Sequence, residues 1–215
     1  SGATFEAISP RDDAVLAHVA RAGIEDVDSA AEAARAAFDA GKWSGLMPTE
    51  RGTTLRRIAD QIRSQADAIA RVETLNGGKT IANSKNEIEA AAKVFDYYAG
   101  AADKFFGTTI PMGAGIVDFT LREPVGVVAA ITPWNFPFLA AAWKCAPALA
   151  VGCTVILKPA SATPLTALML GRAALAAGVP PGVLNVLPGP GAALDPGCAQ
   201  AVGRHDPRLL HGRGA

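Results

Sequence analysis

Residues Val125–Pro137 read "VGVVAAITPWNFP", and this stretch decides the fold. A short, continuous apolar run, Val125–Ile131, ends abruptly in two prolines, two aromatics and one asparagine. A run of this length with no polar alternation predicts a strand covered on both faces. The stretch "FLAAAWKCAPALAVG", residues 138–152, is helix-like, with Pro147 disturbing its last part. "TVILKP" (154–159) repeats the buried-strand texture. "TPLTALMLGRAALAAG" (163–178) predicts a helix with Thr163 as cap, Pro164 at its first position and Gly178 past its end. "GVLNVLPG" (182–189) is a third strand.

Strand, helix, strand, helix, strand predicts parallel strands joined by crossovers. The expected class is therefore α/β, with half of a Rossmann-type, doubly wound parallel sheet. Such sheets bind ligands at the carboxyl ends of their strands. Here those ends are "TPWN", "KPAS" and "PGPG".

Upstream of this unit the texture is different. Residues 1–23 read as extended or irregular. Glu25 to Ala40 predicts a helix, with Asp26 or Asp28 as cap and Gly41 as its stop. A second helix runs from Pro48 towards "NGGK" (76–79), with apolar positions Leu55, Ile58, Ala59, Ile62, Ala66 and Ile69 on one face. A third begins at Ser84, where Ser84 and Glu87 fit a capping box, and runs to about Phe105. Residues 107–123 predict a hairpin around Met112–Gly115. The divisions expected are 1–106 (helical), 107–123 (hairpin), 124–194 (first half of a dinucleotide-binding sheet) and 195–215 (tail).

Composition narrows the function. Half of the 215 residues are hydrophobic and the formal net charge is +0, ample for a core and unsuited to nucleic acid as main partner. No apolar run reaches membrane-spanning length, and no basic-then-apolar leader is visible. Cys145, Cys153 and Cys198 form no CxxC pair and read as free thiols of a reducing, cytoplasmic compartment. Cys198, His205 and His211 match no zinc spacing, so no metal site is expected.

At the strand ends, each candidate has two readings. Asn135 is either a rigidly mounted amide donor for a developing oxyanion or an ordinary turn residue. Lys158 either meets a ribose hydroxyl or phosphate, or is simply solvated. Gly189 and Gly191 allow close backbone approach to a ligand, though they do not form G-x-G-x-x-G. Trp134 and Phe136 line a channel or belong to the core.

Together the motifs are more specific. Residues 122–168, "REPVGVVAAITPWNFPFLAAAWKCAPALAVGCTVILKPASATPLTAL", closely resemble the aldehyde dehydrogenase superfamily, whose pattern runs E-P-x-G-V, P-W-N-F-P, K-x-A-P-A-L-A-x-G, K-P-A and T-P. "EDVDSAAEAARAAF" (25–38) and "ETLNGGKTI" (73–81) look like its N-terminal region, and the likeness covers Phe5 to about Leu194. The resemblance implies an oxidoreductase that takes a small-molecule aldehyde to a carboxylic acid with NAD or NADP. It makes Asn135 the oxyanion donor towards a cysteine thiohemiacetal. Ile131, Thr132, Pro133 and Trp134 would line the nicotinamide side, and Lys158 would reach the adenosine ribose. The hairpin resembles an oligomerisation arm, implying a homo-oligomer for the full family member.

Departures from the pattern carry expectations too. Ser161 stands where NAD-preferring relatives have a glutamate that binds the 2′-hydroxyl and repels a 2′-phosphate. Its serine removes a repulsion of about 1 kcal/mol or more, so NADP is expected to be tolerated or preferred. Cys153 stands where the family usually has Asn. The nucleophile and general-base motifs, of the type G-Q-x-C and E-L-G-G, are absent from these 215 residues. Cys145 and Cys153 read as small core residues instead. The chain is therefore expected to be a truncated form without the catalytic domain, or, in a second reading, a non-catalytic dinucleotide-binding or oligomerisation fragment. The tail after Leu194 shows no clear period. A shift of coding frame would explain it: if Leu209–Gly214 were encoded CTC CTT CAC GGG CGG GGN, reading from the second base would give Ser-Phe-Thr-Gly-Gly.

Overall fold

The computed structural model describes residues 2–204; His205, His211 and the reading-frame segment 209–214 lie outside them. In order, the elements are β1 (Thr4–Ile8), β2 (Val15–Ala20), α1 (Ile24–Asp39), α2 (Pro48–Ser64), α3 (Ala66–Gly77), α4 (Ile81–Ala101), β3 (Thr109–Ile110), β4 (Asp118–Phe119), β5 (Val127–Ile131), α5 (Pro137–Ala150), β6 (Thr154–Lys158), α6 (Leu165–Ala176), β7 (Leu184–Val186) and α7 (Gly191–Arg204).

The expected parallel sheet is present, in the order β5-β6-β7. Val127 to Ile131 pair in register with Thr154 to Lys158, and Val155 to Leu157 with Leu184 to Val186. All three strands therefore end on one edge. Both faces are covered. Val155 and Leu157 pack into the larger core with α2, α4, α5 and α6, while Val127 and Ile156 face α1 and α7 with Ala31, Leu194 and Cys198. Strand residues alternate faces, so Lys158, two beyond Ile156, is directed to the α1/α7 side. Thr154, on that same face, donates from Oγ1 to the Ala34 carbonyl of α1 at 3.0 Å.

Several boundaries differ from the sequence expectations. Residues 4–20, read as extended or irregular, are extended and pair as an antiparallel hairpin, β1 with β2. The second helix is interrupted at Gln65, giving α2 and α3. α1 begins at Ile24: Gly23 is its cap, and Asp26 accepts from the Gly23 amide at 2.7 Å. α4 begins a turn earlier than Ser84. Thr80 is its cap and accepts from the Asn83 amide, while Ser84 is wholly buried and hydrogen-bonds the Thr74 hydroxyl at 2.8 Å. In α6 the capping position is Pro164, and the Thr163 hydroxyl turns instead to the Trp134 carbonyl at 3.4 Å. Residues 195–204, without a clear period in sequence, continue α7. Leu194, Cys198 and Ala201 recur at helical spacing on its buried face and dock on α1, which outweighs the local cost of Pro196.

α5 carries its own proline, Pro147, near its end. Its last carbonyls are met by distant donors. Trp43 Nε1 reaches the Leu149 oxygen at 3.0 Å, and Arg51 Nε the Ala150 oxygen at 3.0 Å. Arg51 is buried, and burial lowers its pKa below the usual value; its cation sits on carbonyls at the negative end of the helix dipole. The hairpin β3–β4 projects Ile116, Val117, Phe119 and Leu121 into solvent.

Candidate dinucleotide-binding edge

The carboxyl edge of the sheet gathers the residues singled out in the sequence. Ile131 and Lys158 are register neighbours, and the Thr132 amide donates to the Lys158 carbonyl at 3.0 Å. The Leu187 amide donates to Leu157 O at 2.9 Å, which brings the Pro188–Gly191 turn to the same edge. Pro133, Trp134, Asn135 and Phe136 are exposed, so Trp134 and Phe136 are not core residues. Thr132 is buried, and its Oγ1 has no hydrogen-bond partner among the described residues. Trp134 and Ser161 line one cleft of about 400 Å³, together with Asn76, Thr163 and Pro10.

Asn135 is held by its backbone. Its carbonyl accepts from Lys79 Nζ at 3.0 Å, and its side-chain amide makes no hydrogen bond among the described residues. Lys79 also lies 5.2 Å from the Phe136 ring centroid and pairs with Glu87 at 2.6 Å and Glu73 at 3.4 Å. The stiff turn is thus pinned from outside while its carboxamide stays open.

Lys158 is not solvated. It is 1% exposed, donates to the Pro159 carbonyl at 2.6 Å, and lies 3.3 Å from Asp195 Oδ1 of α7. Cys198 is near enough for the Lys158 charge to oppose, without cancelling, the upward push of burial on its thiol. Gly189 has a reason of its own to be glycine: a Cβ there would lie 2.5 Å from Leu194 Cδ1 and 3.1 Å from the Ala22 carbonyl. At Gly191 a Cβ would meet Asp195 Oδ2 at 3.0 Å.

Two functional residues escaped the sequence reading, Glu73 and Asn76. They stand three apart, on one face of α3. Neither α5 nor α6 has a side-chain cap of its own. Glu73 fills that role for α5. It is fully buried, and its carboxylate accepts from the Phe138 amide at 3.5 Å, from Thr166 Oγ1 at 2.6 Å and from Lys79. Burial raises its pKa above the usual carboxylate value, with Thr166 and Lys79 opposing. Asn76 does the same for α6: its Oδ1 accepts from the Leu165 amide at 3.4 Å and its Nδ2 donates to the Ala162 carbonyl at 3.0 Å. One helix thereby braces both strand-end turns. The visible signal was "ETLN" itself: a carboxylate and an amide on an apolar face, opposite two helices without caps of their own.

The aldehyde dehydrogenase family model matches residues 1–201. The chain belongs to the aldehyde dehydrogenase family. The match extends into α7, beyond the Leu194 limit read from the sequence. The chain is 48% identical over 193 residues to aldehyde dehydrogenase family 2 member B4, mitochondrial, of Arabidopsis thaliana, covering 89% of this chain and 36% of that protein. It is 42% identical to retinal dehydrogenase 2 of Homo sapiens, covering 94% and 40%. The structure of an indole-3-acetaldehyde dehydrogenase in complex with NAD+ superposes with a TM-score of 0.90 at 43% identity, over 92% of this chain and 40% of that one. The chain thus spans well under half the length of these relatives. No helix among the described residues is long and apolar enough to cross a membrane, and no His, Cys, Asp and Glu group among them could hold a metal ion.

Proposed function

We propose that this chain is the N-terminal, dinucleotide-binding portion of an aldehyde dehydrogenase that oxidises an aldehyde to a carboxylic acid with NAD(P)+. What supports the reading is the open carboxamide of Asn135, mounted at the carboxyl edge beside the Lys158 strand end. Two exposed donors suit a dinucleotide, the Ser161 hydroxyl and the Asn135 amide, and the buried Lys158 ends β6 at the same edge, where an α/β sheet receives one.

Each residue has a task. Asn135 donates to the oxygen that gains negative charge when a nucleophile adds to the aldehyde, and the Lys79 bond to its carbonyl spares it reorganisation. Ile131, Thr132, Pro133 and Trp134 form the wall of the turn that receives the nicotinamide end. Lys158 and Ser161 take the adenosine ribose, and the Pro188–Gly191 turn carries backbone to the same edge. The bound NAD(P)+ supplies the hydride acceptor. The nucleophilic cysteine and the general base are not among these 215 residues. Cys145 cannot substitute: it is fully buried in α5, and burial pushes its pKa up to about 12.

The purified chain is therefore expected to bind dinucleotide without turnover. The test is absorbance at the reduced-nicotinamide band with aldehyde and NAD(P)+. A steady rise by this chain alone would overturn the reading. A second role rests on a separate observation, the exposed apolar residues of the β3–β4 hairpin. These suit self-association, and light scattering of wild type against Val117→Asp with Leu121→Asp tests it. Unchanged mass would remove that role.

A further inference from the structure

Ser161 leaves the ribose end without the carboxylate that would repel a 2′-phosphate. The structure brings a different carboxylate to the same lysine. Asp195, on the first turns of α7, directs Oδ1 at Lys158 Nζ, 3.3 Å away. That oxygen is sealed from solvent and has no hydrogen-bond partner among the described residues, so the contact is an ion pair without hydrogen-bond geometry. Its other oxygen folds back over Gly191, where a Cβ would sit 3.0 Å from Oδ2. Glycine at 191 thus leaves room for the Asp195 carboxylate. The α1/α7 face of β6 offers no second cation here: Thr154 and Ile156 precede Lys158 on it.

We propose that Asp195 is the specificity-determining residue for the dinucleotide, favouring the free 2′-hydroxyl of NAD+ over the 2′-phosphate of NADP+. The inference rests on the reading of Lys158 as the ribose-binding lysine. A 2′-phosphate brings up to two negative charges. It would meet a lysine already paired with a carboxylate 3.3 Å away. A neutral 2′-hydroxyl meets no such repulsion. The preference therefore runs opposite to the one that Ser161 alone implies.

Calorimetric titration of NAD+ and NADP+ into wild type, Asp195→Asn and Asp195→Ser tests this at low salt, with circular dichroism to confirm folding. Wild type is expected to hold NAD+ about tenfold or more tighter than NADP+. Asp195→Asn should lower that ratio about tenfold, or ~1.4 kcal/mol, chiefly by tightening NADP+. Asp195→Ser, which also removes the charge, should move it the same way. A ratio unchanged within about twofold in folded variants, or a wild type preferring NADP+, would overturn the assignment. Failure of the wild type to bind either dinucleotide would sink the functional reading, and the assignment with it.

Discussion

Glu73→Ala removes the group that caps α5. The substitution strips the acceptor from the Phe138 amide and from Thr166 Oγ1, a hydroxyl that is 1% exposed. Each buried donor left unserved costs about 1–3 kcal/mol. Lys79 keeps Glu87 at 2.6 Å and the Asn135 carbonyl at 3.0 Å, so its charge is not stranded. The two unserved donors together predict a loss of about 2–6 kcal/mol. Urea unfolding followed by circular dichroism reads it as a midpoint lower by roughly 2 M. Glu73→Gln keeps the shape and two acceptor contacts and should cost far less. The pH dependence separates the two effects. Burial raises the folded-state pKa of Glu73 above its ordinary 4.5. A raised carboxyl favours folding fully below the unfolded value and loses that contribution as pH rises through the folded one. Wild type should therefore lose ground to Glu73→Gln as pH climbs from about 4.5. An Ala variant within about 1 kcal/mol of wild type would refute the capping argument.

Asn76→Ala should cost about 1–3 kcal/mol in the same assay, because the Leu165 amide and the Ala162 carbonyl lose their partner. Gly182→Ala should destabilise by about 1–3 kcal/mol: its φ is +85°, and the new Cβ would lie 2.9 Å from the Ala33 carbonyl. Cys145, with a thiol pushed up to about 12, should resist a thiol-reactive chromophore at pH 8 in the folded chain and react on unfolding, followed by absorbance.

What could be read from the sequence was whatever the chain writes locally. The runs at 127–131 and 154–158 read as covered strands, and the helices between them imply the parallel pairing the structure shows. "TPWNFP" announced a rigid turn with a polar tip, and the structure leaves that tip open. Three features stayed hidden because distant partners decide them. Ser84 looked like a cap but is buried against Thr74, so α4 starts at Thr80's signal instead. The tail after Leu194 shows no clear period in sequence, yet docking Leu194, Cys198 and Ala201 on α1 makes residues 191–204 a helix with Pro196 inside it. Lys158 invited a solvated reading, and only Asp195, thirty-seven residues on, shows why it is buried.

The most direct test of the central claim is an amide NMR titration of the chain with NAD+. The account predicts saturable shifts concentrated at residues 131–136, 158–161 and 188–191, the three strand ends of the β5-β6-β7 sheet. Saturation with shifts confined to the β1–β2 hairpin or the outer faces of α2 and α4 would contradict it.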